Sequence, residues 1–165
     1  MKQIIAILAL FAFAISSVSA KGDRASAHET VKGNHISVTY SRPNKKGREI
    51  FGKLVPYGEV WRTGADEATE ITFDKDGVFA GQQIKAGTYT LFTIPGKEQW
   101  TIILNKHMGQ WGSFEYDKWK NEDVLKATVK PNHVDKVLET FTIKIENGLM
   151  KLDWDQTSVL INTQF

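Results

Sequence analysis

Cysteine is absent from this chain. That excludes disulfides, thiolate metal sites and cysteine nucleophiles. Long apolar runs are scarce as well. The one candidate, Ile4 to Ile15, is shorter than the roughly 20 residues a membrane helix needs. It follows Lys2 and ends in Ser16-Ser17-Val18-Ser19-Ala20, with small residues at Ala20 and Val18. That pattern predicts a secretory signal peptide over residues 1–20, cleaved after Ala20, and hence a periplasmic or secreted protein. A periplasm permits disulfides without requiring them, so the missing cysteines fit. Dense runs of one charge are lacking too. The 21 Lys and Arg nearly match the 19 Asp and Glu and are spread along the chain, which argues against nucleic-acid partners.

What is there is mostly strand. Residues 21–34 are polar, small and aperiodic, and are expected to form a mobile leader. Residues 35–165 have the size of one domain. In "HISVTYS" the residues Ile36, Val38 and Tyr40 alternate with polar ones. The same period of two runs through "EITFD", "LKATVK", "TFTIKIE" and "LMKLDWD". Apolar alternation with β-branched and aromatic residues marks half-buried strands. "TYTLFTIPG" and "QWTIILN" are apolar on both faces and are expected at the centre of a sheet. Asp76-Gly77, Ala80-Gly81, Ala86-Gly87, Pro95-Gly96 and Asn147-Gly148 punctuate the runs. Asn147-Gly148 is a type I′ hairpin signal, since both residues tolerate positive φ. Nine or ten short strands with little helical period predict an all-β fold. The expected form is an antiparallel β-sandwich, jelly-roll or immunoglobulin-like, with a flattened β-barrel as the alternative.

Familiar catalytic arrangements do not occur. There is no Gly-x-Ser-x-Gly elbow, no His-Glu-x-x-His helix and no phosphate-cradling glycine loop. His28, His35, His107 and His133 lack metal-ligand spacing, so no metal and no cofactor are expected. "DKDG" at Asp74 to Gly77 begins like a calcium loop but lacks the later ligands, and a hairpin turn accounts for it. Asp153 and Asp155 lie two apart on a strand, where a solvated face is the simpler reading than acid–base chemistry.

Two stretches break the strand rhythm, and long ordered loops carry function disproportionately. In the first, Arg42 to Gly58, and the adjoining "VWRTGAD", the residues Arg42, Arg48 and Arg62 gather near Tyr40, Phe51, Tyr57 and Trp61. A guanidinium grips carboxylate or phosphate through a planar fork and stacks on aromatic faces. Neighbours on a strand face opposite sides, so Trp61 and Arg62 should split between core and exterior. Asp66 and Glu67 follow and are candidates to pair with Arg62, in which case the arginines are loop staples. The second stretch, Lys106 to Asn121, carries Trp111, Phe114, Tyr116 and Trp119. It reads as a lid over an open end of the sandwich or as an aromatic wall for a flat ligand.

These stretches also carry a resemblance. "YSRPNKKGREIFGKLVPYGEVWRTGADEAT", "AGTYTLFTIPGKEQWTIILNK" and "QWGSFEYD" are similar to the bacterial family catalogued as domain of unknown function 2911, and the likeness runs from about His35 to Phe165. It implies an exported protein, mostly of Bacteroidetes-type bacteria, and it implies no activity. One departure is Asp66, where the family pattern has Asn.

The reading that follows is a small-ligand or glycan binding module of the cell envelope. Its candidate ligand-binding residues are Tyr40, Arg42, Arg48, Trp61, Arg62, Asp66, Glu67 and Trp111, and its expected partner is an anionic or sugar-like small molecule. Two alternatives stand beside it. One is a structural or assembly protein of the envelope. The other is a hydrolase with Asp66, Glu67 or Glu70 as base and Arg62 stabilising developing negative charge.

Overall fold

The structure, a computed structural model, describes residues 27–165. The expected signal peptide, and Lys21 to Ser26 of the expected leader, lie outside the described residues. Ten strands make up most of the rest: β1 (Ala27–Gly33), β2 (Ile36–Arg42), β3 (Thr69–Phe73), β4 (Gly77–Phe79), β5 (Gln82–Ile84), β6 (Gly87–Ile94), β7 (Trp100–Asn105), β8 (Asp123–Val129), β9 (Pro131–Glu146) and β10 (Leu149–Gln164). One turn of helix, α1 (Tyr116–Trp119), precedes β8. The strands form two antiparallel sheets, ordered β1-β2-β3-β6-β7-β8 and β5-β4-β10-β9. The fold is an all-β sandwich and not a closed barrel.

Alternation decides which side chains meet between the sheets. Ile36, Val38 and Tyr40 of β2, Ile71 and Phe73 of β3, and Leu125 and Ala127 of β8 are buried on the inner face of the large sheet. Phe141 and Ile143 of β9, with Met150, Leu152 and Trp154 of β10, face them from the small one. Burial on that scale is the main stabilising term of the fold. The β6 and β7 runs lack alternation because both faces are covered, and both strands have neighbours on either side. Leu91, Ile102 and Leu104 point to the main core, whereas Phe92 and Ile103 form a second cluster with Ala68 and Tyr116 on the outer face. The hairpin tip holds Asn147 at φ 51° and Gly148 at φ 73°, the positive values a type I′ turn demands.

Three expectations change. Ala27 to Gly33, expected within a mobile leader, is an edge strand paired along its whole length with β2. Its inward positions are Glu29, Val31 and Gly33, so only one apolar residue reports the period, and alternation is invisible in the sequence. The last two strands are not short, at 16 residues each. Their pairing slips between Asp153 and Asp155 and again before Thr157. Asp155 sits there at φ 52°. This bulge breaks the alternation that would place the two aspartates on one face. Asp153 is buried beside Lys151 at 3.2 Å, and Asp155 pairs with Lys45 at 2.8 Å.

Candidate functional site

The turn "WRTGAD" connects the first irregular stretch to β3, and its conformation follows from its residues. Trp61 pairs with Thr93 as an isolated bridge and turns its ring into the core. There it meets Phe51, Trp100, Phe141 and Trp154 at centroid distances of 5.9, 6.2, 5.1 and 5.9 Å. Such aromatic pairs are worth roughly 0.5–1.5 kcal/mol each beyond their burial. The indole N–H donates to the Gly64 carbonyl at 3.0 Å, which closes the turn.

Thr63 is fully buried at φ 55°, a conformation that β-branched residues rarely adopt. It is held there because Thr69 Oγ1 donates to its carbonyl at 2.7 Å and its own hydroxyl lies 3.1 Å from that of Thr93. Asp66 is at φ 58°. Asparagine and aspartate tolerate that region better than other side chains, which gives the position a backbone reason for being Asn or Asp.

The two irregular stretches meet at this turn. Ala68 N–H donates to the Gln110 carbonyl and Gly112 N–H to the Asp66 carbonyl, at 2.9 and 3.0 Å. Ser113 Oγ donates to the Val60 carbonyl at 2.8 Å. The second stretch is therefore a strap rather than a lid on an open end. Its Tyr116 packs edge-on to Phe92 over the outer face of the large sheet, and its hydroxyl donates to Asp123 at 2.6 Å. Farther along, His107 stacks on Trp119 with centroids 3.7 Å apart.

Between the stretches lies a cavity of about 920 Å³. Arg42, Arg48, Trp61, Arg62 and Asp66 line it, as the sequence pattern suggests. Tyr40, Glu67 and Trp111 are not among its lining residues. Tyr40 is a core residue whose hydroxyl donates to Glu29 at 3.0 Å and accepts the Ile143 N–H at 2.8 Å, riveting β2 to β9. Glu67 lies on the surface 3.5 Å from His28. Trp111 is 60 % exposed and points elsewhere, while Phe114 and Ser113 supply the strap's share of the wall. Leu54, Glu59, Thr140 and Trp154 also line the cavity without any local sequence signal for it. Of the three carboxylates weighed as a base, Asp66 alone reaches the lining.

The three arginines differ in what they already hold. Arg42 is 2.8 Å from Glu29 and donates to the Phe141 carbonyl and Thr142 Oγ1. Arg48 donates to the carbonyls of Lys45 and Asn44. Both are staples. Arg62 is half-buried, none of the ion pairs among the described residues involves it, and its Nε is buried without a hydrogen-bond partner. Asp66 is itself engaged. A buried donor left unmade in this way carries a penalty of roughly 1–3 kcal/mol. Among the described residues, no group of three or more His, Asp and Glu is arranged to hold a metal ion.

A family model described as "Protein of unknown function (DUF2911)" matches residues 22–163. No curated protein and no solved structure matches the chain. The chain belongs to the DUF2911 family.

Proposed function

We propose that this protein is an exported small-ligand-binding module of the cell envelope, and that the cavity beside Arg62 receives an anionic group. The observation that carries this reading is the Arg62 guanidinium. It is cationic, half-buried, unpaired among the described residues, and set in the wall of an open cleft of ligand size. Backbone strain points the same way. A buried threonine at φ 55° directly follows the arginine, and strain of that kind gathers at ligand clamps. Arg42 and Arg48 keep the surrounding loop in shape and add positive potential.

The test pairs stability with binding. Because Arg62 leaves a buried Nε unpaired, Arg62→Met should unfold in urea no more easily than the wild type, with a gain of up to about 1–3 kcal/mol. A loss on the order of 3–5 kcal/mol would instead mark a buried charge network and make the turn a structural plug. A screen of anionic metabolites and glycans should then yield ligands that bind the wild type and not the variant. A screen that finds no ligand for the wild type overturns the reading.

A further inference from the structure

We infer that the ligand of this cavity is a ring-borne monocarboxylate, its carboxylate on Arg62 and the flat face of its ring on Phe114. The inference rests on the binding function just proposed and narrows it to one chemical class.

The first argument is the placement of Phe114. It is 81 % exposed yet lines the cavity. A large ring left in water forfeits its burial, and a ring beside a charged group in a pocket wall is a stacking platform. Gly112 shows how close the two groups lie. A Cβ added there would meet Phe114 ring carbons at 2.7 and 2.9 Å and Arg62 Nη1 at 3.0 Å. The Phe114 ring and the guanidinium thus converge over one bare Cα, at φ 69°. A ligand that uses both must carry its charge and its flat face within one ring's width of each other.

The second argument is charge. Arg42, Lys46, Arg48 and Arg62 line the cavity, but so do Glu59 and Asp66. The cations outnumber the carboxylates in this wall, which favours an anionic ligand. The planar two-oxygen carboxylate also matches the guanidinium fork. Behind these groups the wall is apolar, with Leu54, Val55, Val60, Trp61 and Trp154, which suits a ring rather than a short-chain acid. An aryl carboxylate and a uronate residue of a glycan share this chemistry.

The experiment is a titration of the mature protein followed by the indole N–H resonances of Trp61 and Trp154, both of which line the cavity. Benzoate and glucuronate serve as probes, with acetate, inorganic phosphate and glucose as comparisons. The expected result is that one or both ring carboxylates shift the two indoles at lower concentration than any comparison compound. Binding should weaken at least about tenfold in Arg62→Met, the factor of one charge-assisted hydrogen bond. It should weaken severalfold in Phe114→Leu, which keeps an apolar side chain but loses the ring face. Glucuronate ahead of benzoate assigns a glycan source, and the reverse order an aryl acid. Phosphate or acetate binding as tightly, with Phe114→Leu silent, overturns this inference and leaves an anion-binding cavity. Glucose binding as tightly, unaffected by Arg62→Met, overturns it in favour of a neutral sugar. No shift with any of the five compounds, in a protein whose amide spectrum is folded, overturns both this inference and the function beneath it.

Discussion

Removing one oxygen atom should separate the two jobs of Tyr40. Its hydroxyl accepts the Ile143 N–H at 2.8 Å and donates to Glu29 at 3.0 Å. The residue is 2 % exposed, and burial above all, aided by the Glu29 charge and hydrogen bond, pushes its pKa from 10.0 up to about 12. The Ile143 N–H and Arg42 oppose that shift without cancelling it. In Tyr40→Phe the Ile143 N–H is orphaned inside the sandwich, a loss of roughly 1–3 kcal/mol near pH 8. Glu29 keeps Arg42 and should contribute little to the change.

The sign of the pH dependence follows from the raised value. A group whose folded pKa lies above its unfolded one contributes stability below the unfolded pKa, and that contribution fades as pH rises through the folded pKa. Between about pH 10 and 12 the wild type should therefore lose ground to Tyr40→Phe, by up to about 1.4 kcal/mol per pH unit. Tyr89 and Tyr116 are raised by burial too, but both proteins retain them, so their share cancels. Urea unfolding followed by backbone circular dichroism at several pH values measures the gap. A gap under about 0.5 kcal/mol at pH 8, the range of an ordinary surface change, or one that stays constant from pH 10 to 12, refutes the rivet.

Other substitutions probe the remaining parts. Asn105 is fully buried, donates to the Trp119 carbonyl and to Asp123, and accepts the His107 N–H. Asn105→Ala should destabilise by about 2–4 kcal/mol through orphaned partners and a small cavity, and should speed proteolysis between Lys106 and Lys120. A Cβ at Gly64 would lie 2.9 Å from the Ser41 carbonyl oxygen, which is backbone and cannot swing away. Gly64→Ala should therefore cost about 1–3 kcal/mol in the same unfolding assay. Asp76 is held below the usual carboxylate range by Lys85 and by the Ala86 N–H. The stability it contributes is present at neutral pH and lost as pH falls through its lowered pKa, so the wild type's thermal-melt advantage over Asp76→Asn should vanish in acid. In a bacterial host, mass spectrometry of the exported protein should find a chain that begins at Lys21, as the signal-peptide pattern requires.

How far the sequence revealed all this depended on which physical signal each segment carried. β2, β3 and β8 alternate cleanly because one face of each meets an apolar layer. β1 has the same geometry but shows Glu29 and Gly33 to the interior, where a hydrogen bond and a close approach to Ile145 replace apolar burial. The early half of β9 is largely solvent-facing, so its side chains carry no period. The aspartate pair on β10 departs from the period of two because of a bulge, which leaves no mark in local composition. At the cavity, arginine density and the "VWRTGAD" turn located the wall. Which arginine stayed unpaired depended on Glu29, Thr142 and two loop carbonyls, partners set by the fold. The strap carries two exposed aromatics, and nothing in their local sequence tells that Phe114 and not Trp111 lines the cavity.

The three hydrogen bonds that join the strap to the arginine turn have a thermodynamic consequence. They make one cooperative unit of segments that lie 42 to 53 residues apart in the chain. Amide protons of Ala68 and Gly112 should therefore exchange with solvent by a shared opening rather than independently. A ligand that engages Arg62 adds its binding energy to that whole unit, so protection would rise on the outer face around Tyr116 as well, on the far side of the large sheet from the main core. Occupancy of the cavity would be legible from a surface the ligand never touches.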